Sequence, residues 1–185
     1  MKSIIYLHPR VYKVVMRILY GKAYTRSYEL IAKEAKDMKI LDLCCGDCKL
    51  AEYINDYKGI DFNNIFVKYA KKRGIDVTRG DILKDEIPKS ECIVMTGSLY
   101  QFIPHHEYII RKMLKKAKKV IISESGIHLA KSKNPLIAIA ARRLTNISGA
   151  HKNRFTKNQL FGLYKKLRAK KIIDSGRDVI GIFEK

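Results

Sequence analysis

Lys39-Ile40-Leu41-Asp42-Leu43-Cys44-Cys45-Gly46-Asp47-Cys48-Lys49-Leu50-Ala51-Glu52-Tyr53-Ile54 is the stretch that decides the fold. An apolar run over 39–44 stops at a turn of small residues, and a helical pattern over 47–55 begins at once. A strand passing through a tight turn into a helix is a common cradle for nucleotide-like ligands. N–H groups at a helix start attract anionic groups, and small residues let the backbone come close to the ligand. The same turn holds Cys45-Gly46-Asp47-Cys48, whose CxxC spacing also fits a redox dithiol activated by a helix N-terminus.

Outward from this turn, strand and helix patterns alternate. Strand candidates are 39–44, 57–61, 75–78, 91–96 and 119–124, with helix candidates at 47–55, 63–73 and 104–117. The alternation predicts βαβ units and an α/β fold with a parallel sheet covered on both faces. Cys92-Ile93-Val94-Met95 and Val120-Ile121-Ile122 are continuously apolar, as central parallel strands are. Upstream, Val11, Val14, Val15, Ile18 and Leu19 recur at helical spacing, and Pro9 suits the first turn. The plainer reading packs this stripe on the core; a basic helix on a membrane surface is the second. Tyr24, Tyr28, Ile31 and Ala35 suggest another helix. Downstream, Pro135 to Leu144 is an apolar helical stretch, and Thr156-Lys157-Asn158-Gln159 is a capping box. Lys171-Ile172-Ile173, a Ser175-Gly176 turn and Val179 to Phe183 read as a hairpin. The expected organisation is one domain over 1–185: a helical cap (1–36), a core (37–124), a helical insert (125–169) and a C-terminal hairpin (170–185).

Composition narrows the classes. A chain of 185 residues, 46% apolar, suits one domain with a sizeable core. No uncharged apolar run nears the ~18 residues of a membrane span. His8, Pro9, Arg10, Lys13 and Arg17 interrupt the apolar N-terminus, which excludes a secretory signal. Three of the four cysteines crowd into Cys44–Cys48, unlike a disulfide framework, so the expectation is a reduced, cytoplasmic protein. The net charge of +20 attracts nucleic acid, anionic membrane or acidic metabolites. Its lysines and arginines are nevertheless scattered over helix faces, so a solvated basic surface is the plainer reading and nucleic acid the alternative partner.

Chemistry gathers at successive strand ends. After the Cys44–Cys48 turn comes Asp61, closing Tyr57-Lys58-Gly59-Ile60-Asp61. Next are Gly80-Asp81-Ile82 after the third strand and Thr96-Gly97-Ser98-Leu99-Tyr100-Gln101-Phe102 after the fourth. Ligands of open parallel sheets bind just beyond such carboxyl ends. A carboxylate roughly 20 residues past the first turn accepts from ribose hydroxyls, which is the place of Asp61. Asp81 is placed to accept from an adenine amino group, with Phe62 and Ile82 on either side of the ring.

Here the sequence resembles the class I S-adenosylmethionine-dependent methyltransferases, well over 39–124 and weakly over the N-terminal helices and C-terminal hairpin. Asp42-Leu43-Cys44-Cys45-Gly46 resembles their first motif, Asp61 their ribose-binding acid and Asp81 their adenine-contacting acid. Arg154-Phe155-Thr156 followed by Leu160 resembles a segment before the last helix of many small-molecule members. The resemblance implies a Rossmann-like, doubly wound sheet of seven strands, mostly parallel with an antiparallel last strand. It implies S-adenosyl-L-methionine as cofactor and S-adenosyl-L-homocysteine as product. The cofactor site would comprise Asp42, Cys44, Gly46, Cys48, Asp61, Phe62, Asp81, Ile82, Gly97 and Ser98, with no metal. Cys48 departs from the family, which usually has Gly there.

Methyl transfer needs alignment more than covalent help from the protein, and a base only where the acceptor must lose a proton. Tyr100 and His105 are the candidate catalytic residues, with His106, and more distantly His128 and His151, behind them. The expected acceptor is a small or lipid-like molecule. The alternatives are a nucleic acid such as RNA, and a non-catalytic domain that binds cofactor or a partner. The resemblance leaves the oligomeric state open.

Overall fold

The computed structural model describes residues 8–127 and 154–185. Two helices open the chain, α1 (Pro9–Tyr20) and α2 (Lys22–Glu34). Then follow β1 (Ile40–Leu43), β2 (Tyr57–Asp61), α3 (Asn64–Lys71), β3 (Val77–Arg79), β4 (Ser90–Thr96), α4 (His106–Lys116) and β5 (Ala117–Ser125). The chain ends with α5 (Lys157–Lys166), β6 (Lys171–Asp174) and β7 (Asp178–Glu184).

The strands form one seven-stranded sheet in the order β3-β2-β1-β4-β5-β7-β6. β1 pairs in parallel with both β2 and β4, so the strand order reverses between β1 and β4. That reversal opens the crevice in which doubly wound sheets hold ligands. β7 alone runs antiparallel to its neighbours β5 and β6. This is the Rossmann-like architecture expected from the sequence.

Alternation along each strand builds two cores. Leu41, Leu43, Ile93 and Met95 face Ile109, Ile110 and Met113 of α4 and Leu160, Leu163 and Tyr164 of α5. Ile40, Cys92, Val94 and Ile121 face Ile31 and Ala35 of α2 and Val67 and Ala70 of α3. Side chains that alternate faces every residue make the central strands read as continuous apolar runs when both faces are covered. The α5 start carries the expected capping box: Gln159 N donates to Thr156 Oγ1 at 3.3 Å, and Thr156 N donates to Gln159 Oε1 at 2.8 Å.

Three expectations need correction. The helix expected over 47–55 is a single 3-10 turn, Lys49–Glu52. Cys48 before it sits in the left-handed region at φ 56°, and the turn closes when Tyr53 N bonds Leu50 O at 3.0 Å. α4 starts at His106, two residues later than expected, and a separate 3-10 turn, Leu99–Phe102, precedes it. Finally, the stripe of α1 is not packed on the core: Val11, Val14 and Ile18 are all exposed. The helix turns Tyr12 and Met16 inward instead. The expected helix over Pro135–Leu144, and His128 and His151, lie outside the described residues.

Candidate functional site

A cleft of about 470 Å³ opens at the carboxyl ends of β1, β2, β4 and β5, a size typical of small-ligand sites. Its floor is the turn after β1. Cys44, Gly46 and Cys48 all take positive φ, of 57°, 53° and 56°. This alternation turns the chain sharply and leaves the Gly46 amide directed at β2, where it donates to Asp61 Oδ2 at 2.8 Å. Asp61 Oδ1 accepts from Asn63 N at 2.7 Å. Burial pushes the Asp61 carboxyl up, and these two backbone donors pull it back.

Two further acids flank the turn. Asp42 accepts from the Tyr57 hydroxyl at 2.9 Å through Oδ2, while its buried Oδ1 has no partner. Burial lifts its pKa to about 8. Asp47 Oδ2 is likewise buried and unpartnered, and burial lifts that group to about 6. At the next strand end, Asp81 Oδ1 accepts from Leu83 N at 3.1 Å. Lys112 of α4 braces this loop by donating to the carbonyls of Ile82 and Asp85. Ile82 is buried, whereas Phe62 across the cleft is 58% exposed with Arg79 over its ring at 5.7 Å.

The far end of the cleft is built by β4 and β5. Gly97, at φ 62°, donates to Ser123 O at 2.7 Å. Glu124 accepts from Tyr100 N at 3.2 Å and from Ser125 N at 2.8 Å. Burial raises its pKa to about 7 against the pull of those donors. The Arg154 guanidinium lies 4.0 Å from the centroid of the Tyr100 ring. Above, α1 and α2 contribute Tyr12, Met16, Tyr24 and Tyr28. Tyr12 meets Phe66 edge-on at 5.7 Å, and Tyr28 stacks on Tyr53 at 6.4 Å. Ser27 fixes α2 to the hairpin by donating to Asp178 Oδ2 at 2.6 Å.

The structure thus brings Asp42, Cys44, Gly46, Asp61, Phe62, Asp81, Ile82, Gly97, Ser98 and Tyr100 around one cleft. It leaves out two expected residues. The Cys48 side chain is fully buried beneath the turn, its thiol 3.6 Å from Cys45 Sγ. His105 is the exposed residue before α4 and does not line the cleft. His106 packs on Phe155 at 5.1 Å instead of facing the cleft. Sequence reasoning missed Tyr12, Met16, Asp47, Glu124, Arg154 and Arg177 as lining residues. Glu124 had a legible signal, an acid at the carboxyl end of the fifth strand; Arg177, in the hairpin turn, had none.

The charge of the cleft opposes that of the chain. Among the described residues, five carboxylates (Asp42, Asp47, Asp61, Asp81 and Glu124) line it against two cations, Arg154 and Arg177. The thiols are not built for redox work. Burial pushes the Cys44 thiol up, and the hydrogen bond with Cys48 together with burial does the same to Cys45. A four-residue 3-10 turn also supplies little of the helix dipole that lowers a thiol pKa in dithiol enzymes. No group of three or more His, Cys, Asp or Glu among the described residues is arranged to hold a metal. No described helix is long and apolar enough to cross a membrane.

Comparison with known proteins agrees with this geometry. Residues 26–137 match the family model described as methionine biosynthesis protein MetW. No curated protein sequence matches the chain. Solved structures are similar in fold at low identity. An S-adenosylmethionine-dependent methyltransferase from Thermotoga maritima is 14% identical with a TM-score of 0.66, covering 97% of this chain and 98% of its own. Magnesium protoporphyrin IX methyltransferase from Synechocystis PCC 6803, solved with bound S-adenosylhomocysteine, is 11% identical with a TM-score of 0.63, covering 90% and 85%. Human N-acetylserotonin methyltransferase, solved with S-adenosylmethionine, is 16% identical with a TM-score of 0.63, covering 98% and 58%.

Proposed function

The chain belongs to the MetW family and has the class I methyltransferase fold, and on that premise we propose that it binds S-adenosyl-L-methionine and transfers its methyl group to a small or lipid-like molecule. The observation that carries this reading is the acidic cleft in a strongly basic protein. A cationic cofactor with an ammonium group fits the two buried, unpartnered carboxylate oxygens of Asp42 and Asp47. Among the described residues only two cations, Arg154 and Arg177, line the cleft, little to hold a polyanionic acceptor such as RNA.

The remaining lining supports the same cofactor. A Cβ built on Gly46 or Gly97 meets nothing within 4 Å, so both glycines leave open space at the cleft floor. Each oxygen of Asp61 keeps a lone pair beyond its backbone donor, enough to take a vicinal diol. Phe62 and Ile82 supply apolar surfaces for an adenine ring, with Asp81 beside them. Bound there, the cofactor supplies an activated methyl group.

The protein's own task is then to orient an acceptor and exclude water. Tyr100, with Glu124 behind it and Arg154 on its ring, stands at the acceptor end in this proposal. His105 has no part in it, because it is exposed and away from the cleft. The test is transfer of labelled methyl from S-adenosylmethionine to panels of small molecules, lipid extracts and RNA. Labelled small-molecule or lipid product is expected. Label appearing only in RNA would overturn the acceptor class. Cofactor binding with no transfer to any panel would favour a non-catalytic role.

A further inference from the structure

We propose that α1 docks this protein on an anionic lipid surface. The proposal is independent of the methyl-transfer reading and concerns the helix face turned away from the cleft. Along α1 the side chains divide by their 100° spacing. Tyr12 and Met16 line the cleft. On the opposite side Val11, Val14 and Ile18 are 45%, 56% and 77% exposed. Three aliphatic side chains on one stripe, all within about two turns of helix, form a contiguous apolar strip facing solvent. Arg10 and Arg17 are exposed along its flank.

Charge selects the occupant. Between Met1 and Tyr28 the sequence carries Lys2, Arg10, Lys13, Arg17, Lys22 and Arg26 and not one acidic residue. A second copy is disfavoured, because a two-fold contact sets the same patch against itself. Here it would oppose arginine to arginine on chains that each carry +20. An apolar stripe bordered by basic residues on a helix of modest overall hydrophobicity is the signature of a helix lying in a lipid headgroup layer. Phe62 and Leu83, both exposed, line the cleft and extend apolar surface to its mouth.

The experiment is flotation of the full chain with vesicles of phosphatidylcholine containing phosphatidylglycerol, against phosphatidylcholine alone. The protein is expected to float only with the anionic vesicles and to be released by high salt. Val14→Glu with Ile18→Glu should abolish flotation. Arg10→Gln with Arg17→Gln should weaken it about twentyfold or more, at roughly fivefold per charge near the surface. Unchanged thermal melts by circular dichroism in both variants establish that the fold is intact. Absence of flotation, equal flotation with both vesicle types, or equal flotation of the Val14/Ile18 variant would overturn the proposal. A dimer in sedimentation that the same variant dissolves would assign the face to a second copy instead.

Discussion

The backbone amide of Gly46 donates to Oδ2 of Asp61 at 2.8 Å, tying the turn after β1 to the carboxyl end of β2. One carboxylate therefore shapes the cleft floor and lines the cleft at the same time. Asp61→Ala leaves the part-buried amides of Gly46 and Asn63 without their acceptor, and each lost bond is worth about 1 kcal/mol. We expect a loss of that order in urea denaturation at pH 7. Asp61→Asn keeps one acceptor and should recover part of it.

The buried acids give the protein a pH signature. Asp42, Asp47 and Glu124 are held at about 8, 6 and 7, in each case mainly by burial. The folded chain thus keeps protons that the unfolded chain has already released. The stability these three groups contribute is full below the unfolded carboxylate values near ~4 and is lost as pH rises through about 6 to 8. Thermal melts between pH 5 and 8 should show this decline, and Glu124→Gln should flatten it near pH 7.

A ligand ammonium reverses the sign. An ammonium beside Asp42 and Asp47 favours their ionised forms, so its binding releases protons and tightens with pH. The gain is at most about tenfold per pH unit per proton released. Titration calorimetry with S-adenosylhomocysteine from pH 5.5 to 7 should show tightening, and Asp47→Asn should reduce the slope.

All four cysteines are free thiols, and three are buried, with Cys44 partly so. Alkylation by iodoacetamide at neutral pH should be slow in the folded chain and reach all four after denaturation. Cys48 tests the turn directly. At φ 56° a β-branched residue is strained, so Cys48→Val should destabilise strongly, whereas Cys48→Gly relieves about 1 kcal/mol of backbone cost and loses some buried packing.

A stability test far from the cleft concerns Gly181 on β7. A Cβ there would approach Tyr164 Cδ2 and Cγ at 2.7 and 2.8 Å. The Tyr164 ring cannot swing aside: it meets Phe183 edge-on, and its hydroxyl donates to Ile122 O at 3.3 Å. Gly181→Ala should cost about 1–3 kcal/mol as overpacking, read as a lower urea midpoint.

The sheet was legible in the sequence because both its faces are covered. Ile93 and Val94 belong to opposite cores, so β4 reads as one apolar run and its end can be located. Asp61 and Asp81 were legible by position, Asp61 closing β2 and Asp81 two residues past the end of β3. Cys48 was misread because spacing along the turn does not tell which way a left-handed residue points its side chain. The α1 stripe was misread because amphipathic periodicity identifies two faces without saying which is inward. Here the tyrosine and methionine face was chosen over the aliphatic one. Arg177 came to the cleft through the β6–β7 turn, a long-range placement with no local pattern.

Isothermal titration of S-adenosylhomocysteine into the full chain and its Asp61→Ala variant decides whether the cleft is a cofactor site. One binding site on the parent chain, absent from a variant that still melts cooperatively, is the result expected. No binding heat at millimolar ligand in the parent chain, or equal binding by the variant, would contradict it.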